Sequence, residues 1–322
     1  MKDFTGKLAV ITGGGTGMGR ALAQQLSAEG CHVAMCDVGP ENMAETKTLC
    51  EGGAPAGVRV TTHICDVSEE RQVIAFRDEV KAQHRTDRVN LLFNNAGIGG
   101  GGSFLRDSRA EWEKTFGVCW GGVYYCSRAF LPLLVASDSG YIVNTSSVNG
   151  FWACLGPGTA HSAYSSAKFA VKGFSEALVV ELRLYAPHVK VAVVMPGHVG
   201  TAIITNTAKV LGRPEVALMG ADDLLGVREQ MKNRGLPVDG MSDDEVRSLL
   251  QQLAIAFRDA APVSAAQAAT IILDGVRHDA WRILVGDDAK ALDRMVREDS
   301  EHAYEASFME KLQQQGHLRM SA

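Results

Sequence analysis

Positive charge is in short supply: 32 Lys and Arg stand against 37 Asp and Glu, a formal net charge of −5. A surface of that balance has no general attraction for nucleic acid or anionic lipid, and no Lys/Arg-rich tract interrupts it. Uninterrupted apolar runs are short as well, none reaching the roughly 18 residues that a spanning helix needs, so no membrane span is expected. Metal-ligand spacings are missing. Neither Cys-x-x-Cys nor His-Glu-x-x-His occurs, which argues against a dedicated metal site. The 7 cysteines are scattered and odd in number, suiting reduced thiols in a cytoplasmic protein better than a disulfide framework. Met1–Thr5 is polar and leads directly into a strand, and is read as leaving no signal peptide. What remains, at 46% hydrophobic and 21% charged, is an ordinary globular composition.

Against these absences stands Tyr164-Ser165-Ser166-Ala167-Lys168. A tyrosine and a lysine four apart share one face of a helix. The small, apolar seam of Ala163, Ala167, Ala170, Phe174, Ala177 and Leu178 lets such a helix pack closely. An ammonium beside a phenol favours the phenolate, so Lys168 is expected to lower the Tyr164 pKa towards a range useful for proton transfer. Upstream, Tyr141–Ser146 reads as a strand, followed by Ser147.

The second concentration of unusual residues lies near the start. Lys7–Thr12 is a short apolar, β-branched run read as a buried strand. Gly13-Gly14-Gly15-Thr16-Gly17-Met18-Gly19 follows, five glycines in seven residues, and then the helix-like Arg20–Glu29. Strand, glycine turn and helix is the context in which backbone closely approaches a pyrophosphate, at a helix N-terminus with free N–H groups. A second strand, His32–Asp37, ends on a carboxylate about 20 residues further on, placed to accept hydrogen bonds from ribose hydroxyls and to repel a 2′-phosphate. Neither Val38 nor Thr16 supplies a charge to offset that repulsion, so NAD is expected rather than NADP.

Further along, Val58–Cys65 reads as a strand, then Asp66-Val67 and a helix capped by Ser68. Asn90–Phe93 reads as a strand closed by Asn94-Asn95-Ala96-Gly97. Two helices are expected around Asp107–Gly117 and Val118–Ala136, another over Ala163–Tyr185, and strands over Val189–Met195 and Trp281–Val285. Strands alternating with helices imply right-handed βαβ units. The expected fold is therefore α/β, a Rossmann-like doubly wound parallel sheet of about seven strands. Ligands then gather beyond the carboxyl ends of the strands, where Gly13–Gly19, Asp37, Asp66, Asn95, Ser147 and Pro196-Gly197 all fall.

These residues, in this order, resemble the short-chain dehydrogenase/reductase family of single-domain type, over roughly residues 5–202 and 264–286. The resemblance implies that Tyr164 is the catalytic acid/base, that Lys168 lowers its pKa and binds the nicotinamide ribose, and that Ser147 holds the substrate oxygen. Ser147 is preferred to Ser146 because it stands three residues after Asn144. The same resemblance assigns Gly13, Gly15, Thr16, Gly17, Met18 and Gly19 to the cofactor turn, and sets Asp37 and Val38 beside the adenosine ribose. Asp66, Val67 and Asn95 then lie around the adenine and its ribose, and Val199 and Thr201 hold the carboxamide. The interval from Ser147 to Tyr164 is longer than usual, and Leu155–His161 is expected to take up the difference. His161 and His198 read as loop histidines. One position departs from the pattern: Cys119 stands where the family usually carries an Asn whose backbone carbonyl supports a proton relay. The resemblance also implies a homodimer or homotetramer through the helices near Val118–Ala136 and Ala163–Tyr185, with Trp120, Tyr124, Phe130, Phe169 and Phe174 available to bury.

Residues 202–262 fit the family pattern least and sit where it carries a substrate lid. Glu215–Gly235 reads as one helical stretch and Asp243–Ala260 as another, capped by Ser242-x-x-Glu245. Val246, Leu249, Leu250, Leu253 and Phe257 form an apolar stripe, which either packs on the body of the protein or belongs to a hinged cover. A lid of this length points to a bulky, lipophilic small-molecule substrate. Ser264-x-x-Gln267 caps a further helix, and Asp288–Glu298 with Ser300–Leu318 reads as a helical extension over 287–322. The whole, 1–322, is expected to be one catalytic domain interconverting a secondary alcohol and a ketone. The alternative is a catalytically silent dinucleotide-binding sensor or scaffold on the same fold.

Overall fold

A computed structural model of the chain describes residues 1–100, 102–155, 159–233 and 235–314. The first strand, β1 (Leu8–Thr12), is buried along its whole length, as its unbroken apolar sequence requires. The glycine turn leads into α1 (Gly17–Ala28), then β2 (His32–Asp37), α2 (Pro40–Gly53), β3 (Val60–Ile64) and α3 (Glu70–His84). Next come β4 (Leu91–Asn94), α4 (Arg109–Phe116), α5 (Gly122–Val135), β5 (Gly140–Thr145), α6 (Ser162–Tyr185) and β6 (Val189–Pro196). The seven-stranded sheet runs β3-β2-β1-β4-β5-β6-β9, every pair parallel, with β9 at Arg282–Val285. Strand order reverses between β1 and β4, which opens a crevice at their carboxyl ends. One core lies under α1, α2 and α10 (Ala265–Arg277); the other lies under α3, α5 and α6.

Between α4 and α5 the sequence reading expected a break. Instead the helix continues from Arg109 to Val135 through a π turn at Gly117–Gly121, closed by the Gly122 N–H on the Gly117 carbonyl. Glycines at 117, 121 and 122 let the backbone widen there; a side chain at 122 would strike Val67. This is the one helix among the described residues long and apolar enough to cross a membrane, and 56% of its most apolar window is buried inside the protein.

Other boundaries differ for local reasons. Ser68 does not cap α3, whose cap position is Glu69; its hydroxyl donates to Asp66 Oδ1 at 2.6 Å and so is turned away from the helix. Phe130 is fully buried against Phe76 in the core and takes no part in any outer face, whereas Tyr124 and Phe169 are exposed.

The segment after β6 begins with β7 (Val199–Gly200), which pairs with β8 (Val263–Ser264) in a small parallel ladder of its own. Everything between, α7 (Ile203–Val210), α8 (Ala221–Asn233) and α9 (Asp243–Asp259), departs from that ladder and returns to it. The stretch expected as one helix over Glu215–Gly235 is instead a 3₁₀ turn at Val216–Leu218 followed by α8. Both the Ser242/Glu245 and Ser264/Gln267 capping boxes are formed. The α9 stripe is divided: Val246, Leu249, Leu250 and Leu253 close on Leu224 and Met231 of α8 in a separate small core, while the Phe257 ring meets the His198 ring at a tilt, with centres 4.4 Å apart. The extension holds α11 (Asp287–Glu298) and α12 (Ala306–Gln314). Turns over residues 301–304 replace the helix expected from Ser300; residues 315–318 of that expectation lie outside the described residues.

Candidate active site

The glycine turn is built by close contact. A Cβ on Gly19 would lie 2.0 Å from the Gly13 carbonyl oxygen, and Gly17 has φ of +54°, which only glycine adopts freely. Thr16 stands at the N-cap of α1 but does not cap it with its side chain; its hydroxyl accepts instead from Asn206 of α7 at 2.9 Å. The first N–H groups of α1 therefore face the crevice without a side-chain acceptor from Thr16. Met18 turns inward and packs on the core beneath α1, so only its backbone belongs to the turn.

Asp37 closes the turn on its far side. Its carboxylate accepts from the backbone N–H groups of Gly15 (3.0 Å), Val38 (2.7 Å) and Gly39 (3.2 Å), while the Val38 side chain is exposed. Behind it, Arg20 donates to the Gly15 carbonyl and pairs with Glu45 at 2.7 Å. Its charge is thus committed to shaping the turn, a role the local sequence did not reveal because Glu45 lies on another helix. Asp66 is held by Lys114 of α4 at 2.5 Å and by the N–H and hydroxyl of Ser68. Burial pushes the Asp66 carboxyl upward, but the Lys114 and Ser68 hydrogen bonds outweigh it and leave the pKa below the usual carboxylate value. Val67 is buried against Gly122 of the long helix.

From the turn, a chain of contacts crosses the switch point. Thr12 Oγ1 accepts from the N–H groups of Asn95 and Ala96, both at 3.0 Å, and the Asn95 amide donates back to the Thr12 carbonyl at 3.1 Å. The Asn95 Oδ1 is buried with no protein partner. A Cβ on neighbouring Gly97 would lie 3.5 Å from Lys168 Nζ and 3.8 Å from Cys119 Sγ, so both side chains crowd this glycine. Lys168 is only 3% exposed; its ammonium donates to the Thr145 carbonyl at 2.8 Å and lies 5.3 Å from the Tyr164 ring centre.

The Ser147 side chain lies close enough to the Tyr164 phenol to favour its ionised form, and Ser147 Oγ accepts from the Asn149 N–H at 3.1 Å. Ser146 is differently employed, its hydroxyl donating to the Lys168 carbonyl at 2.7 Å. The Tyr164 phenol is pulled two ways. Burial pushes its pKa above the ordinary value, and the Lys168 charge and the nearby Ser147 side chain oppose this without reversing it. The expectation that Lys168 brings the net value down is therefore corrected for the protein alone: Lys168 acts in that direction, but burial is the larger effect. Cys119 lies in the π turn, wholly buried, with its thiol donating to the Ile98 carbonyl at 3.2 Å.

The remaining residues frame this centre. The His161 ring lies over the Tyr164 ring at 4.6 Å. His198 Nε2 meets the Phe257 carbonyl at 2.7 Å, and the His198 N–H donates to Asp288 at 2.7 Å, so this loop histidine ties β6, α9 and α11 together. Thr201 packs against Gly17, and Val199 is buried in the small ladder. The structure thus brings Lys168 and Cys119 together at Gly97, with Tyr164 beside Lys168 and Ser147 beside Tyr164. Asp37 and Asp66 stand apart at the far end of the crevice, along β2 and β3. Among the described residues, no group of three His, Cys, Asp or Glu side chains could hold a metal ion.

Comparison with known proteins bears on the family and the fold. The family model for short chain dehydrogenases matches residues 7–210. The Mycobacterium tuberculosis protein SadH, named as an oxidoreductase, is 34% identical over 297 residues, 92% of this chain and 92% of its own. A short-chain dehydrogenase/reductase from Burkholderia phymatum, solved in complex with NAD, superposes with a TM-score of 0.73 at 30% identity, over 94% of this chain and 96% of its own. A metagenomic short-chain oxidoreductase in complex with NADP gives a TM-score of 0.54 at 26% identity, over 78% and 91%. With the parallel seven-stranded sheet and the glycine turn at its switch point, these matches identify the chain as an oxidoreductase of the short-chain dehydrogenase/reductase family.

Proposed function

We propose that this protein interconverts a secondary alcohol and a ketone with NAD as cofactor, Tyr164 serving as acid/base. The observation that carries the reading is the buried Lys168 ammonium set 5.3 Å from the Tyr164 ring centre beside Gly97, with Ser147 close enough to act on the Tyr164 phenol. The protein fits a dinucleotide: the glycine turn has no room for side chains, and Asn95 keeps a buried oxygen without a protein partner. Gly13–Gly19 would cradle the pyrophosphate, Asp37 the adenosine ribose, Asp66, Val67 and Asn95 the adenine end, and Val199 and Thr201 the carboxamide.

When bound, the nicotinamide takes up or returns the hydride. The chain's own residues handle the proton and the oxygen. Ser147 holds the substrate oxygen, and a hydroxyl fixed in advance at a developing oxyanion is worth about 3 kcal/mol. Tyr164 removes the alcohol proton in oxidation and supplies it in reduction. Lys168 favours the phenolate and has donors to spare beyond its bond to Thr145 for a ribose hydroxyl. Asp37, already accepting three backbone N–H groups, offers a 2′-phosphate a negative charge, and Arg20 is neutralised by Glu45; both favour NAD.

The self-packed helices over 202–262, joined to the body by β7, β8 and His198, serve in this reading as the cover of a bulky, lipophilic substrate. The exposed side chains Tyr124, Phe169, Val180 and Leu184 on α5 and α6 support pairing of two copies through these helices, in a homodimer or homotetramer. The test is NADH formation with a panel of lipophilic secondary alcohols, run in parallel with NADP. The reading expects turnover that is faster with NAD; equal affinity for NADP in side-by-side titration contradicts the cofactor assignment, and no turnover contradicts the activity.

A further inference from the structure

The C-terminal segment builds a clamp on the chain that leaves Ser147. After Ser147 the backbone makes a 3₁₀ turn, Val148–Gly150, and runs on through Phe151 to Cys154. Asn149 folds this stretch: its N–H donates to Ser147 Oγ at 3.1 Å, and its amide donates to the carbonyls of Trp152 (3.0 Å) and Cys154 (2.9 Å). The next link is to the far end of the sequence. The Trp152 indole, 3% exposed, donates to the Ala303 carbonyl at 2.7 Å, and the Ala153 N–H donates to the Tyr304 hydroxyl at 3.1 Å. Trp152 packs with Leu292, Met295, Phe308 and Leu312 in a core separate from the two that flank the sheet. This core is anchored to β9 by Asp293, which pairs with Arg282 and Arg297, and the Arg282 guanidinium lies 5.9 Å from the Phe151 ring.

We propose that this clamp is a specificity device: Trp152, Tyr304 and Phe308 are positioning residues that set the wall of the substrate site next to Ser147. The inference rests on the alcohol/ketone reading, in which Ser147 and Tyr164 hold the reacting oxygen between them. Residues 148–154, which follow Ser147, then border the body of the substrate, and the clamp fixes them; residues 156–158 of the long interval to Tyr164 lie outside the described residues. An unbroken series of hydrogen bonds joins Ser147 Oγ to Ala303, so movement at the clamp reaches the serine itself. Nothing in the general fold demands this arrangement, since the partners on the C-terminal side lie beyond residue 210, where the family match ends.

The test compares kcat/KM for a bulky and a small secondary alcohol in the full-length protein. Tyr304→Phe is the mild variant, because the ring is 61% exposed and only one acceptor is lost. Phe308→Ala opens the clamp core, and Phe308→Leu refills it. Tyr304→Phe and Phe308→Ala should each lower the bulky-to-small ratio by about fivefold, through KM, with kcat within about twofold and NADH affinity unchanged. Phe308→Leu should recover most of that ratio. A clamp that only stabilises the fold would lower the melting temperature and leave the ratio where it was, and that result in Tyr304→Phe overturns the proposal even if Phe308→Ala fails to fold. Wild-type protein that turns over no alcohol removes both the reading and this inference; turnover with an unmoved ratio removes this inference alone.

Discussion

Tyr164 is caught between burial, which holds its proton on, and Lys168 and Ser147, which draw it off. The balance in the protein alone leaves the phenol protonated at neutral pH, suiting the acid's part in ketone reduction. In the proposed mechanism oxidation needs the phenolate, so its rate should climb with pH. Lys168→Met removes the principal opposing charge and should move that climb to higher pH, while also weakening NADH binding. A pH–rate profile of alcohol oxidation measures this, and a rise at unchanged or lower pH contradicts the role given to Lys168. Cys119 is the other informative residue. Its thiol needs only the Ile98 carbonyl, whereas an asparagine there could donate to that carbonyl but would bury its own oxygen. An unsatisfied amide oxygen costs about 1–3 kcal/mol. Cys119→Asn should therefore leave turnover within about threefold and lower the melting temperature. A tenfold or larger gain in turnover with unchanged melting would show that the relay wants the amide and not the backbone carbonyl alone.

At the scale of elements, the legible parts were those with local signals. β1 and β5 are wholly buried and apolar over most of their length, and the glycine turn occurs where strand gives way to helix. The Ser242 and Ser264 capping boxes declare themselves within four residues of sequence. The misread parts depend on partners far along the chain. Ser68 looks like a cap until Asp66 and Lys114 engage it, and the helix through Gly117–Gly121 looks broken until the π turn keeps it whole. The α9 stripe declared that it must be buried, but not that α8 would bury most of it. The Trp152 clamp had no periodic signature, since its hydrogen-bond partner is 151 residues away.

The edge strand β3 carries a further consequence of this kind. Thr61 Oγ1 lies 3.0 Å from His84 Nε2 of α3 and 3.0 Å from His63 Nε2, and His63 Nδ1 lies 2.7 Å from Glu79. Burial, with Arg59, His32 and His63 nearby, pushes the His84 imidazole down from 6.5 to about 4. A histidine held neutral in the fold takes up its proton more readily when unfolded, so its contribution is intact above 6.5 and is lost as pH falls towards about 4. Thermal melting between pH 7 and 4 should show a steeper fall for wild type than for His84→Gln; parallel curves would contradict this.

Over the whole molecule, three bodies of structure meet at one crevice. The sheet supplies the carboxyl ends of β1, β4 and β5, the 202–262 helices rise from the small β7–β8 ladder, and α11 and α12 grip the chain beyond Ser147. His198 touches the second and third of these at once, through Phe257 and Asp288. The family and the sheet follow from the chain's similarity to known proteins and from its topology. The proposed chemistry rests on one hydroxyl. Tyr164→Phe keeps the ring, its contact with His161 and the Lys168 ammonium, and removes only the group that carries the proton. The decisive measurement is steady-state turnover of a responsive alcohol by this variant, alongside NADH titration. The account predicts binding close to wild type with turnover lowered at least about a hundredfold, and a variant that keeps more than about a tenth of the wild-type rate contradicts it.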